Sequence, residues 1–382
     1  MRLALAVALT ASALSCAPVA SALEIHAHRG GTDTNGKPTY SEETLTAYQH
    51  AAANGFVLEV DAKLTRDGVP VAVHDATLER VTTCAGQVRN YTVRQLRRCR
   101  FDVLGSPGGG LPARKVKPSG RIASIAEVLE LARLTGAKVN LEIKNLPTDP
   151  DWDPTPGYAN RVMDVVEATG LPRSQLLIQS FIPANLDVAK QRIHGVHTSL
   201  LTLNSSADIV TQAEDKGYEW ISPQWPVPTS FVGDVHRAGH LIVPYTIDKR
   251  PQVKAAAKAK VDALITDDPL MAAGAVGLKP ARSLTAKLVR HPGRIEASGR
   301  LRARTCSGIV KLRVLGAKNL LRSKRTRLAA NCTYHVAVTV PRGAPAELLA
   351  TVGFGGNARV LPRLVGPKPV PAEVPLAVPH GG

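Results

Sequence analysis

The sequence predicts an α/β fold, a (β/α)8 TIM barrel, followed by a small all-β domain. Three observations carry this reading. Between residues 24 and 267, short β-rich runs alternate with helix-like segments, eight runs in about 250 residues. Beyond Leu278 the helical patterning stops, and short alternating runs such as "GIVKLRVL" and "YHVAVTV" replace it. Charge changes at the same place: from Lys279 onward the chain carries 19 Lys and Arg against 3 Asp and Glu, a net of +16 in a total of +17.

The β-rich runs lie at 24–28, 57–62, 139–144, 175–180, 196–201, 218–222, 241–246 and 262–266. Helix-like segments occupy 43–54, 124–135, 157–169, 182–191, 206–216, 229–238 and 250–260. Ser124 with Glu127 three residues later is a capping box and fixes one helix start. A doubly wound sheet is the alternative. Against it, no Gly-rich phosphate fingerprint follows the first run, and polar residues fall on several different strands. The stretch from Lys63 to Ser124 is abnormally long for a barrel connection, and loops of such length are usually functional or mobile.

Met1-Arg2 precedes an apolar run, Leu3 to Leu14, too short to span a bilayer, and Ala20-Ser21-Ala22 fits a signal-peptidase site. Residues 1–22 are therefore expected to be a signal peptide and the protein to be secreted. A lipid anchor on Cys16 is the rival, but Ala13-Leu14-Ser15 lacks the Leu such a site needs three places before the Cys. No later run is apolar for long enough to span a membrane. Removing Cys16 leaves two sequence-local pairs, and an oxidising compartment would join them as Cys84–Cys99 and Cys306–Cys332. Residues 23–278 then form the barrel and 279–363 a basic β domain. The Pro- and Gly-rich tail, 364–382, is expected to be disordered.

The stretch "LEVDAKLTRDGVPVAVHD" (58–75) puts acids where a core strand should be apolar. Alternate side chains of a strand share a face, so Glu59 and Asp61 point the same way. Asp67-Gly68 signals a hairpin turn, and folding the strand back about Arg66–Val69 places His74 opposite Asp61. "NLEIK" repeats the device with Glu142 and Lys144, and the first strand ends on His28 and Arg29. In one barrel these strand ends converge on a single mouth. Three carboxylates there need a compensating cation, and hard oxygen donors suit Mg²⁺ or Ca²⁺ rather than zinc. Arg29 and Lys144 make sense as partners of an anionic substrate, for which a phosphate is the obvious candidate, and two histidines suit proton transfer at phosphorus.

"HRG", "SEETLTAY", "GFVLEVDAKLTRDGVPVAVHD", "LEIK", "QSF" and "ALITDDP" together resemble the glycerophosphodiester phosphodiesterase family, over residues 24 to about 272. The resemblance implies a barrel of the phospholipase C-like phosphodiesterase type. It also implies His28 and His74 as the catalytic pair, Glu59, Asp61 and Glu142 as ligands of one divalent cation, Ca²⁺ or Mg²⁺, and Arg29 and Lys144 as phosphate-binding groups. Glu42 matches the Glu of a P-E-N-T motif and is open between metal contact, support of the site and a helix N-terminal charge. Ser41-Glu42-Glu43-Thr44 departs from P-E-N-T, the preceding loop "GTDTNGKPTY" is longer than is common, and Tyr245 replaces the usual Trp. These departures bear on substrate choice.

The function expected is secreted, metal-dependent hydrolysis of glycerophosphodiesters to glycerol phosphate and an alcohol. A cell-wall glycerophosphate polymer or a lysophospholipid is an alternative substrate, and a non-catalytic phosphodiester-binding protein an alternative class. Isolated, Glu59 and Asp61 would read as a solvated acid pair; His74 across the turn and the accompanying motifs favour a site. His26 reads as a packing or supporting residue, and Trp225 and Phe181 as either pocket wall or barrel packing. The basic domain is expected to meet an anionic cell-wall polymer or lipid surface, or to be merely solvated. No nucleic acid partner is expected, since the protein is exported and the domain lacks a set of stacking aromatics.

Overall fold

The computed structural model of the chain describes residues 23–106, 113–316, 320–341, 344–345 and 347–371. The expected signal peptide, with Cys16, lies outside the described residues. The chain begins with β1 (Glu24–Ala27), α1 (Leu45–Ala53), β2 (Val57–Leu64) and a return strand, β3 (Pro70–Ala72). The long insertion adds α2 (Val93–Leu96) and an antiparallel pair, β4 (Phe101–Leu104) and β5 (Arg114–Ser119). Alternation resumes with α3 (Ile125–Thr135), β6 (Val139–Ile143), α4 (Gly157–Thr169), β7 (Leu176–Ser180), α5 (Pro183–Arg192) and β8 (His197–Thr202). It closes with α6 (Ala207–Lys216), β9 (Trp220–Pro223), α7 (Thr229–Arg237), β10 (Leu241–Ile242), α8 (Arg250–Lys258), β11 (Ala263–Thr266) and α9 (Pro269–Ala275).

The parallel strands run in the order β10-β9-β8-β7-β6-β2-β1-β11, with β3 antiparallel to β2. β10 stops short of the expected 241–246 because Pro244 has no amide for the ladder. Backbone bonds still join the two ends: Asp262 N–H to the Ile242 carbonyl (3.2 Å), Ile265 N–H to Pro244 (3.0 Å) and Ile247 N–H to Ile265 (2.9 Å). The result is a (β/α)8 barrel.

Strand alternation sorts the side chains. Leu58, Val60, Ala62, Leu141, Ile143 and Ile178 join the apolar layer shared with the helices. The intervening positions, Glu59, Asp61, Asn140, Glu142 and Gln179, face the barrel interior, which is why its wall there is polar. Register then aligns them, with Asp61 opposite Glu142 and Glu142 opposite Gln179. The capping box at α3 is formed: Ser124 Oγ accepts from Glu127 N–H (3.3 Å), and Glu127 accepts from Ser124 N–H (2.9 Å).

The hairpin departs from expectation by one residue. Leu64 pairs with Pro70 and Ala62 with Ala72, so the loop holds five residues, Thr65–Val69, and not four. Val73, whose N–H reaches the Asp61 carbonyl at 3.2 Å, stands where His74 was expected. His74 follows just past the end of β3. The insertion is a packed lobe: Val71, Leu78, Leu96, Phe101 and Ile122 form their own apolar cluster, and Cys84–Cys99 is a disulfide inside it.

Beyond the barrel come β12 (Ser283–Leu284), β13 (Lys287–His291), β14 (Arg294–Arg302), β15 (Ile309–Leu315), β16 (Leu320–Arg327), β17 (Thr333–Thr339), β18 (Leu349–Phe354) and β19 (Arg363–Pro369). They make two four-stranded sheets, β12-β14-β13 with β17 on β14, and β16-β15-β18-β19, around one apolar core. Cys306–Cys332 is the second disulfide. β19 corrects the expectation of disorder from residue 364: Arg363–Pro369 pairs antiparallel with β18. Its prolines are tolerated because β19 is an edge strand, where a missing N–H breaks no second ladder. Residues 372–382 lie outside the described residues.

The domain is fastened to α1 and α3. The Arg313 guanidinium donates to the carbonyls of Arg133 (2.9 Å) and Leu134 (3.3 Å) at the end of α3, where helix carbonyls lack partners and carry partial negative charge. Arg363 donates to Asn54 Oδ1 at 3.0 Å, and Leu361 is counted in the barrel's own apolar core. Gly55, at φ +77°, lies so close to Pro362 that a Cβ there would fall 2.3 Å from the proline's. Gly55→Ala should therefore cost about 1–3 kcal/mol from backbone strain and the clash. Urea unfolding of the full chain checks this; wild-type stability would refute the docking described.

Candidate active site

β1, β2 and β6 place the expected residues at one end of the barrel. Glu59, Asp61 and Glu142 are all buried and offer oxygen atoms within 4.8 Å of one another. Lys144, just past β6, sets its ammonium 3.1 Å from Glu142 Oε1 and 3.6 Å from Asp61 Oδ1. Arg29 turns through a left-handed conformation (φ +52°) directly after β1. Its N–H donates to Glu59 Oε2 at 2.8 Å, and its Nε lies 3.4 Å from Asp61 Oδ2.

Both histidines are held through Nδ1 by a carboxylate. His28 meets Asp267 Oδ1 at 2.6 Å, and His74 meets Asp75 Oδ1 at 2.6 Å. In each ring the opposite nitrogen, Nε2, is left for other partners. Burial and the Arg29 charge push His28 down to about 3; burial, Arg29 and Lys144 push His74 down to about 4. Both imidazoles are therefore neutral at pH 7.

The carboxylates show a strained charge balance. Burial and the Asp61 charge drive Glu59 well above the usual range. Burial opposes ionisation of Asp61 too, but Lys144 and Arg29 outweigh it and hold Asp61 well below that range. Glu142 is pushed up to about 8 by burial and Asp61, against the pull of Lys144. Asp61 Oδ2 and Glu142 Oε1 are buried and, beyond their ion-pair contacts with Arg29 and Lys144, accept no hydrogen bond. Three hard oxygen donors, two of them with an atom that accepts no hydrogen bond, fit a divalent cation, and that ion would stand in for the proton Glu142 otherwise holds.

Glu42 is held by two arginines. Arg80 clamps it through two bonds, 2.6 and 2.8 Å, and Arg29 adds another at 3.2 Å, whereas the three-carboxylate group does not include it. Glu43, where P-E-N-T has Asn, accepts from Asp61 N–H at 3.1 Å and from the Tyr48 hydroxyl. His26 is fully buried and reaches Glu59 indirectly, through Asn140 (3.2 Å) and Gln179, whose amide donates to Glu59 Oε1 at 2.8 Å. Phe181 and Tyr245 meet edge to face at 6.1 Å, and burial, with the Glu142 charge, raises the Tyr245 hydroxyl. Trp225 packs against the barrel core instead.

Sequence reasoning missed Asp267, Arg80, Gln179 and Asn140. Asp267 and Gln179 were within reach: both lie in quoted motifs at the carboxyl end of a barrel strand, where sites form. Arg80 comes from the inserted lobe and gives no periodic signal. The loop "GTDTNGKPTY" steadies Asp267 from behind, with Asp33 N–H on its carbonyl (2.9 Å) and Gly36 N–H on Asp268 (2.6 Å).

Residues 28–271 match the family model described as the glycerophosphoryl diester phosphodiesterase family. The chain belongs to this family. It is an enzyme, a glycerophosphodiester phosphodiesterase. A glycerophosphodiester phosphodiesterase of Bacillus altitudinis is 27% identical over 257 residues, 64% of this chain and 95% of the relative. One from Caldanaerobacter subterraneus subsp. tengcongensis is 26% identical over 247 residues, 64% and 93% of the two chains. Among solved structures, an Oleispira antarctica phosphodiesterase in complex with the product sn-glycerol-3-phosphate superposes with a TM-score of 0.55 at 19% identity. It covers 66% of this chain and 96% of its own, which relates the folds. The basic β domain of this glycerophosphodiester phosphodiesterase lies beyond the matched residues.

Cation uptake should be coupled to proton loss. A carboxyl raised to about 8 is protonated at pH 7 and must ionise to bind metal, so apparent affinity should rise from pH 6 to 8 and level above that. Calorimetry of Mg²⁺ or Ca²⁺ binding in buffers of different ionisation enthalpy should show net proton release at pH 7, from Glu142 and from Glu59. Glu142→Gln should remove its share of that release. No buffer dependence in the wild-type protein would contradict the charge balance.

Proposed function

We propose that the protein is an exported, divalent-cation-dependent enzyme that hydrolyses glycerophosphodiesters to glycerol phosphate and an alcohol. The observation that carries this is the pair of neutral, carboxylate-anchored imidazoles, His28 and His74, beside a buried group of three carboxylates and two cations. Glu59, Asp61 and Glu142 would hold the ion, which when bound supplies positive charge to the phosphoryl oxygens. Arg29 and Lys144 bind the substrate phosphate and keep it aligned. One histidine accepts a proton from the attacking water through Nε2 as the new P–O bond forms. The other, protonated at Nε2 when the anionic phosphodiester binds beside it, donates that proton to the alcohol oxygen as the old P–O bond breaks, so the two rings end with their protonation states exchanged. Asp267 and Asp75 fix each ring's orientation and steady the imidazolium.

Export is supported by the two disulfides, which persist in oxidising compartments. Retention at the cell surface is the finer part of the proposal. β16 is an edge strand with Arg322, Lys324 and Arg327 exposed, suited to an anionic cell-wall phosphate polymer. The same charges also guard an open sheet edge, the plain structural role.

His28→Ala and His74→Ala should each lower kcat on glycerophosphocholine by about 10²–10⁴-fold with folding intact. EDTA should abolish turnover, and Ca²⁺ or Mg²⁺ should restore it. Near wild-type kcat in His74→Ala, or full activity in protein shown to be metal-free, would sink the mechanism. For retention, the full chain should co-sediment with cell-wall polymer at low salt and be released at high salt, where exposed charges are screened. Arg322→Gln/Lys324→Gln/Arg327→Gln should lose that retention while small-substrate turnover stays unchanged. Co-sedimentation with acidic vesicles but not with polymer would count against the polymer reading.

A further inference from the structure

At the barrel end opposite the catalytic residues, the β domain leaves a cleft of about 800 Å³. Glu24, Val57, Lys138 and Gln175, at or just before the starts of β1, β2, β6 and β7, form one wall. β15, β16 and β18 form the other. The volume is that of a small-molecule site.

Charge in the cleft is one-sided. Lys311 on β15 and Arg325 on β16 face each other in register, and both line the cleft. Like charges directly opposed across a strand pair are destabilising, and neither meets a carboxylate among the described residues. Partial burial and the neighbouring Arg313 and Arg325 hold the Lys311 ammonium below its ordinary value. The single acid of the lining, Glu24, is occupied by Lys138 and His26.

A buried donor points the same way. Thr351 on β18 pairs in register with Arg313, is fully buried, lines the cleft, and its hydroxyl has no hydrogen-bond partner. Opposite Lys311 on that strand is Gly353, so no side chain projects from there in front of the ammonium. Ile309 and Leu320, 39% and 44% exposed, give the same cleft an apolar rim.

We propose that this cleft is a binding site for an organic phosphate. The phosphate sits between Lys311 and Arg325 with the Thr351 hydroxyl as a further donor, and the organic remainder lies on Ile309, two residues along β15 from Lys311. Two facing cations match a doubly charged phosphate better than a single carboxylate. The cleft is far larger than the bare ion, and the apolar rim would have no partner if only the ion bound. No group of the catalytic end takes part, so the site stands apart from the mechanism above.

The test is calorimetric titration of full-length protein with glycerol 3-phosphate. Lys144→Met weakens anion binding at the catalytic end, so the remaining equivalent reports the cleft. Adding Lys311→Gln/Arg325→Gln should weaken that equivalent at least about tenfold. In the otherwise wild-type enzyme the same double substitution should leave glycerophosphocholine turnover unchanged. It should also leave Tm equal or higher, because it relieves a like-charge pair. Inorganic phosphate should bind more weakly than the ester. Absence of binding in Lys144→Met, or binding that survives the double substitution in that background, would overturn the site. Equal affinity for citrate would overturn the ligand class, and a lowered Tm would show that the pair was compensated after all.

Discussion

The enzyme part of this molecule depends on holding several negative charges in a space that excludes water. Glu59, Asp61 and Glu142 sit on the inner face of adjacent strands, and Glu43 stands directly behind them. Burial alone would neutralise such a group by protonation. Arg29 and Lys144 prevent that for Asp61 but do not suffice for Glu59 and Glu142. The unequal outcome is the useful part: one carboxylate is ionised in advance, and the others would have to yield their protons to hold the proposed cation. Burial, with the Arg29 charge, holds both histidines neutral.

Support radiates outward from this balance. Gln179 and Asn140 carry it down the barrel interior to His26, so the polar column below the site is a continuous set of hydrogen bonds. Arg80 carries it sideways, joining Asp75 to Glu42, and thereby ties the inserted lobe to the histidine it orients. The lobe's apolar cluster and disulfide are what allow an arginine from a 60-residue-scale insertion to be placed at all, because a loose loop of that length could not hold a bidentate clamp.

Much of this was legible because strands have an exact period. Acids at Glu59 and Asp61, and again Glu142, break an otherwise apolar alternation, and the parallel barrel dictates that they meet. His28, Arg29 and Lys144 follow at strand ends for the same reason. What escaped was set by geometry that period two does not encode. One extra residue in the Thr65–Val69 loop moved His74 off its expected partner, though the bend past β3 still brought it to the site. Asp267 needed knowledge of which loop faces β1, and Arg80 needed the path of an irregular lobe. β19 was hidden by composition, since proline and glycine describe an edge strand as readily as a tail.

Leu361 gives the domain boundary a different meaning. The charge step at Lys279 looks like a seam, yet the chain later returns there: Lys279 N–H donates to the Arg359 carbonyl, Leu361 N–H donates to the Lys279 carbonyl, and the Leu361 side chain is counted in the barrel core. A cut at the seam would leave an open socket beside α1. The two parts are distinct in composition but share a keystone, so they should melt as one cooperative body. Exchanging the β domain for one that lacks Leu361 would unseat that plug.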